Sequence, residues 1–241
     1  MYRPNSSHAI EQAKELAHWL IDQGYTVYST PGQQLGKGSK RVTPQNLSRL
    51  EWVIVLGGDG TYLSAVRMLQ NRQVPILGVN MGSLGFLTEN RVEDLYKSVL
   101  LTLQGKMEFR PRSMLEVTIR RNGKIRGHFL ALNDAVLERG SSTHLINIGV
   151  FSQKHPVCDI KADALIIAGP TGSTAYNLAA GGPVLHPEVR AVVVTPVCPH
   201  SLTSRPLIFP DDQKLSFKVL TRDKKAVLTV DGTHCGEITV D

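Results

Sequence analysis

Val53-Ile54-Val55-Leu56-Gly57-Gly58-Asp59-Gly60-Thr61 reads as a buried strand, a glycine turn and the start of a helix. A short continuous apolar run suits a strand covered on both faces, as in parallel sheets. Leu63, Val66 and Leu69 then recur at helical spacing directly after the glycines. Glycines allow close backbone approach to a ligand and positive φ angles. The unpaired N–H groups of the following helix face that turn with a partial charge of about +0.5. Together these features cradle phosphate. Asp59 is the informative residue, because an anion beside a phosphate site is unfavourable unless it takes a proton or holds a metal. Helix capping is the plainer role for such an Asp, but its place inside Gly-Gly-Asp-Gly-Thr points to chemistry.

The neighbouring stretches extend the same pattern. Asn5, Ser6 and Ser7 offer N-caps; Ile10, Ala13, Leu16, Ala17, Leu20 and Ile21 follow at helical spacing, and Gly24 ends that helix. Tyr25 to Tyr28, Glu51 to Leu56 and Ile76 to Val79 read as strands, and Leu95, Val99 and Leu103 as a further helix. Strands separated by helices predict an α/β layer with a parallel sheet. Tyr2-Arg3-Pro4-Asn5-Ser6 reads as the loop that follows a strand, so the expectation is that a natural polypeptide extends beyond both Met1 and Asp241.

The character changes near Arg110-Pro111. Leu115, Val117 and Ile119 alternate with polar residues, and Asn122-Gly123 is a hairpin signal. Further strand-like runs occupy Leu145 to Phe151, Leu165 to Ala168, Val189 to Thr195, Leu215 to Leu220 and Ala226 to Val230, with a turn at Asp231-Gly232. The expected organisation is an α/β domain over 1–108 and a β-rich domain over 109–241.

Composition narrows the classes. The chain has 241 residues, 41% of them hydrophobic and 20% charged, enough for a substantial core and against gross disorder. Its net charge of +6 favours anionic partners, although the bases are spread over the chain. No finger or base-stacking motif supports nucleic-acid binding. Cys158, Cys198 and Cys235 form no CxxC pair, so neither a zinc site nor a disulfide framework is expected. Residues 1–20 carry charges through their apolar positions and do not form a signal peptide, and no apolar run is long enough to span a membrane. A cytoplasmic protein is expected.

Four further stretches matter. Gly32-Gln33-Gln34-Leu35-Gly36-Lys37-Gly38-Ser39 resembles a P-loop, but its spacing is one residue short and Gly38 follows the lysine; it reads as a mobile surface loop. Asn80 to Thr88 follows the third strand and lies where ligands sit in open parallel sheets, beyond the strands' C-terminal ends. Asn133-Asp134 puts an amide and a carboxylate in an apolar run, where a ribose diol, an adenine edge or a local turn would satisfy them. Gly169 to Asn177 is dominated by small and hydroxyl residues that can wrap a base closely, with Tyr176 as an amphipathic ring.

Gly57 to Thr61, Gly78 to Thr88, Asn133-Asp134, Ala162 to Leu165, Pro170 to Pro183 and Thr195 to Leu202 together resemble the NAD kinase family. The resemblance implies an α/β domain followed by a β-sandwich-like domain with the active site between them, assembled as a homodimer or homotetramer. It implies ATP with Mg2+, or inorganic polyphosphate, as donor and NAD as acceptor. Asp59 would be the general base for the 2′-hydroxyl of the adenosine ribose, and Gly57, Gly58, Gly60 and Thr61 would bind donor phosphates. Phe86, Asn133, Asp134, His144, Lys161, Asp163, Thr174, Ala175, Tyr176, Asn177 and Cys198 would bind NAD, and no residue is assigned to a metal. Family members commonly carry Ser-Thr before Pro-Thr-Gly-Ser-Thr, where this chain has Ala168-Gly169. The alternatives are a lipid or sphingoid-base kinase sharing the glycine turn, and a non-catalytic NAD(P) sensor.

Overall fold

The computed structural model describes residues 1–82, 85–141, 144–220 and 225–239. Ser83 and Leu84 of the expected ligand loop fall outside them. The chain divides into two compact units, Met1–Arg110 and Pro111–Asp241.

The first unit is built on β3 (Val53–Gly57), β4 (Ile76–Asn80) and β5 (Asn90–Arg91), paired in parallel in that order. Helix α1 (Ser7–Asp22) begins where Ser6 Oγ accepts the Ala9 N–H at 3.3 Å, and ends at Gly24 with φ +87°. Its buried face, Ala9, Ala13, Leu16, Ala17 and Leu20, joins Leu95 and Val99 of α3 (Leu95–Leu103) against Leu56, Leu77 and Val79. Val53 and Val55 point the other way, into a cluster with Ala65 and Leu69 of α2 (Asp59–Leu69). The alternation along β3 therefore places helices on both faces, which is why the strand reads as a continuous apolar run.

Two expectations change here. The residues read as a loop before α1 run alongside β3: Tyr2 bridges Leu56 in parallel, with Arg3 N–H to Leu56 O and Leu56 N–H to Met1 O both 2.9 Å. Tyr25 is exposed, and the strand near it is only the pair β1 (Tyr28–Ser29), parallel to β2 (Lys40–Arg41). The Gly32–Ser39 stretch connects these two strands and is anchored rather than loose. Leu35 is buried, and the Gln33 side chain bonds both the N–H and the carbonyl of Tyr2.

The second unit opens with the hairpin β6 (Leu115–Arg121) and β7 (Lys124–Ala131), turned by Asn122 and Gly123 at φ +49° and +75°. The strands that follow are β8 (Asp134–Glu138), β9 (Ile146–Ser152), β10 (His155–Ala162), β11 (Ala164–Ala168), β12 (Ala191–Val197), β13 (Leu207–Pro210), β14 (Leu215–Val219), β15 (Ala226–Val230) and β16 (Thr233–Ile238). Their antiparallel pairing gives a six-stranded sheet, β13-β12-β11-β8-β15-β16, and a three-stranded sheet, β10-β9-β14. Ala135, Leu137, Leu165, Ile167, Val192, Val194 and Leu228 share one core with Ile146, Ile148, Val150, Ile160 and Val219, so the two sheets pack face to face. The opposite face of the large sheet, Val136, Ala164, Ile166, Ala168 and Val193, is covered by Leu185 and Ala180 from the segment after β11. That second cover explains why β11 is apolar at every position.

Candidate active site

The first unit brings the glycine turn and the Gly85–Thr88 loop together. β3 ends at Gly57, Gly58 is the N-cap of α2, and Asp59 is its first residue. A side chain on Gly57 would overlap Thr61 Oγ1, whereas Gly58 and Gly60 face open space. These two glycines line a cleft of about 640 Å³ with Thr61 and Ser64.

Asp59 reaches across to the loop beyond β4. Its Oδ2 accepts the Phe86 N–H at 3.0 Å, and its Oδ1 accepts the N–H groups of Leu87 and Thr88 at 3.1 and 3.2 Å. Thr88 Oγ1 also lies 3.2 Å from Oδ1. Helix capping is therefore not the job of this carboxylate. Gly85 makes the approach possible, since a Cβ there would overlap Asp59 Oδ1. Behind the carboxylate, buried Asn80 fixes the direction of the last bond. Its Oδ1 accepts the Gly82 N–H at 2.7 Å, so its amide nitrogen faces Thr88 Oγ1, at 2.9 Å. Thr88 has one hydroxyl proton, and with Asn80 donating to it that proton goes to Asp59. Asn80 and Thr88 lay inside the stretch the sequence singled out, but this role was not read from it. Phe86 is 65% exposed.

The second unit gathers most of the remaining expected residues around the start of β8. Asp134 pairs with Ala168 at the end of β11, so Asn133 and Asp134 adjoin the loop that begins at Gly169. Gly169 N–H donates to Asn133 O at 3.2 Å, and a Cβ on Gly172 would collide with the Asn133 backbone. Asp231, read from sequence only as half of a turn, holds this bend. Its carboxylate accepts the N–H groups of Leu132, Asn133 and Asp134 at 2.9, 2.8 and 3.2 Å. Asp231 N–H in turn donates to Asp134 O at 3.0 Å. Asp134 is only 6% exposed, and burial, reinforced by the Asp231 charge, pushes its carboxyl up to about 6.

The loop itself is tied from within. Ser173 is buried, donates to Pro170 O at 2.6 Å and accepts the Leu185 N–H at 3.0 Å. Asn177 is fully buried; its amide donates to Ser173 O and Pro183 O, and its Oδ1 accepts from Thr195 Oγ1 at 2.6 Å. Asn177 is thus a strut behind the loop. Thr174 and Ala175 are half-buried, and Tyr176 stands at the surface beside them. Burial raises the Tyr176 hydroxyl pKa, with smaller contributions from Glu138, Cys198, Asp134 and Asp163. Those charges mark the neighbourhood that the expected residues share. Asp163 is paired with Arg139 Nε at 3.0 Å, and Cys198 takes φ +47° just after β12. Lys161 is exposed on β10, with its carbonyl accepting the His200 N–H at 2.8 Å. His144 is exposed at the bend before β9.

A family model described as the ATP-NAD kinase N-terminal domain matches residues 1–107, and one described as the ATP-NAD kinase C-terminal domain matches residues 132–241. The chain belongs to the NAD kinase family. An NAD kinase of Bdellovibrio bacteriovorus is 52% identical over 242 residues, covering 100% of this chain and 80% of the relative. An NAD kinase of Syntrophotalea carbinolica is 41% identical, covering 95% and 81%. Among solved structures, yeast NADH kinase complexed with NADH aligns with a TM-score of 0.90 at 30% identity, covering 100% of this chain and 76% of the other. An Archaeoglobus fulgidus NAD kinase in complex with ATP aligns at 0.75 and 21% identity, covering 100% and 85%, and shares the fold. The enzyme reading is thereby an NAD kinase, a transferase acting on a nucleotide, and the lipid-kinase and sensor alternatives fall away.

Proposed function

We propose that the chain moves the terminal phosphoryl group of ATP, or of inorganic polyphosphate, onto the 2′-hydroxyl of the adenosine ribose of NAD, giving NADP. The observation that carries this reading is the Asp59 carboxylate, whose Oδ1 takes three donors among the described residues while Oδ2 takes one, the Phe86 N–H. A carboxylate oxygen accepts along two lone-pair directions, so Oδ2 keeps one for a substrate hydroxyl. The 2′-oxygen forms a bond to the terminal phosphorus, its proton passes to Asp59 Oδ2, and the bond from phosphorus to the bridging oxygen breaks with the electron pair leaving on the shortened donor. Gly58, Gly60 and the α2 N-terminus hold donor phosphates, with Gly57 leaving room for Thr61.

Asn133 and Asp134 take the adenosine portion of NAD, enclosed by Thr174, Ala175 and Tyr176. Phe86, His144, Lys161, Asp163 and Cys198 are assigned to the rest of the dinucleotide, and Asn177 to supporting the loop. Among the described residues no three His, Cys, Asp or Glu side chains converge as metal ligands. The donor's Mg2+ is read as arriving on its phosphates, as part of the substrate. No helix among the described residues is long and apolar enough to cross a membrane. A cytoplasmic homodimer or homotetramer completes the reading; sedimentation velocity measures the assembly.

Replacing Asp59 by Asn keeps the shape and removes the base. Turnover is expected to fall about 10²–10⁴-fold, with calorimetric NAD affinity within twofold of wild type. Near-normal turnover would remove Asp59 from the base role.

A further inference from the structure

The cleft beside the glycine turn has a second wall to which neither the family motifs nor the chemistry above gives a task. It is formed by residues 1–4 and 30–33, with Gly58, Gly60, Thr61 and Ser64 completing the lining. Its volume of about 640 Å³ lies within the range of small-molecule sites, about 300–1,000 Å³. We propose that this wall grips the oligophosphate chain of the donor, with Arg3 and Thr30 as the binding side chains.

Four observations converge on an anionic chain. Among the described residues, Arg3 is the one charged side chain in the lining, and no carboxylate contributes to it. The glycine turn delivers the N-terminus of an 11-residue helix to the same cleft, and Gly58 and Gly60 leave its backbone uncovered. Thr30 is 8% exposed and lines the cleft, and among the described residues its hydroxyl has no hydrogen-bond partner. The described side-chain atoms sealed from solvent without a partner are Thr102 Oγ1 and Thr171 Oγ1, so the Thr30 hydroxyl opens on the cleft, where an entering acceptor can take its proton. The fourth observation is rigidity. Arg3 N–H is bonded to Leu56 O, Gln33 bonds Tyr2 through both ends of its amide, and Tyr2 Oη accepts the Gln34 N–H at 3.1 Å. Gln33 is therefore occupied in holding the wall, which leaves Arg3 and Thr30 to meet the ligand. A guanidinium fork matches phosphate oxygens better than any other side chain.

The inference rests on the reading of the Gly57–Thr61 turn as a donor-phosphate site, and the test separates the two. Donor and NAD KM values are measured for wild type, Arg3→Ala, Arg3→Lys, Thr30→Val and Gly60→Ala, with ATP and with inorganic polyphosphate. Inorganic tripolyphosphate serves as a direct competitor of ATP. Losing a hydrogen bond to a charged group predicts an increase in donor KM of about 10- to 100-fold for Arg3→Ala. Arg3→Lys recovers part of it, Thr30→Val gives a smaller rise, and NAD KM stays within twofold. Tripolyphosphate inhibition weakens in parallel. Equal rises with both donors assign the wall to the phosphate chain itself; a rise with ATP alone assigns it to the nucleoside triphosphate. Unchanged donor KM in Arg3→Ala, while Gly60→Ala impairs donor use, overturns this inference and leaves the glycine turn standing. Unchanged donor use in Gly60→Ala sinks the reading of the turn as well.

Discussion

At the scale of single residues, the Asp59 carboxylate depends on an atom that is missing. Gly85 packs so closely on Oδ1 that any side chain there displaces the carboxylate. Gly85→Ala is therefore expected to lower kcat by about 10²-fold, the effect of misplacing a reacting group by about 1 Å, while the melting temperature moves little. Steady-state kinetics beside a thermal melt checks both halves; an unchanged kcat would show that the loop yields instead. Thr88→Val breaks the Asn80–Thr88–Asp59 chain at its middle and should lower kcat less, by about tenfold. Asp59 was legible in the sequence because the glycine turn that presents it is local. Its partners lie 27 to 29 residues away, and nothing in the local pattern of Phe86 or Thr88 announces which carboxylate they will meet.

Elements carry the same lesson with a different cause. Long periodic segments such as α1, and alternating strands such as β6, have faces that the sequence displays directly. β10 and β16 mix Cys, His and charged residues with Pro or Gly, so pairing and not composition makes them strands. The start of β8 reads in sequence as polar groups in need of partners, and the partner of its backbone is 97 to 99 residues away. Asp231 occupies a turn at φ +45° from which one carboxylate satisfies three consecutive N–H groups. Asp231→Ala leaves those donors without an acceptor and is expected to destabilise the protein by on the order of 3 kcal/mol. Because the same bend presents Asn133 and Asp134, NAD affinity should fall as well. Asp231→Asn, which keeps one acceptor oxygen, should recover part of both losses. Urea unfolding and calorimetry on the two variants measure this, and wild-type stability and affinity in Asp231→Ala would show that the clamp contributes nothing.

For the whole molecule, the change from alternating helices and strands to strands alone was visible because hydrophobic period follows secondary structure. The second cover over the large sheet was not visible, since it is made by an irregular segment whose Ser173 and Asn177 hold it through contacts the sequence pattern does not encode. That burial has a consequence for the stability of the entire fold through Asp134. Its carboxyl titrates near 6 in the folded protein, raised by burial and then by Asp231, against about 3.9 in an unfolded chain. Between these values the folded state holds a proton that the unfolded state has released, so the free energy of unfolding falls as pH rises. The contribution is fully present below about pH 4, declines through the window from about 4 to 6, and is absent above it; its upper bound is about 3 kcal/mol. Asp134→Asn removes the charge and with it the penalty. The variant is therefore expected to be more stable than wild type at pH 7.5 and to lose that advantage near pH 4. NAD binding should move in the opposite sense, because the ionised carboxylate is the better acceptor for ribose hydroxyls. Wild-type affinity should strengthen as pH rises through about 6, and the Asn variant should lack that step. Urea unfolding and calorimetric titration of both proteins from pH 4.5 to 7.5 measure the two curves. A stability difference independent of pH would show that Asp134 ionises at its ordinary value. A binding step common to both proteins would assign the titration to another group.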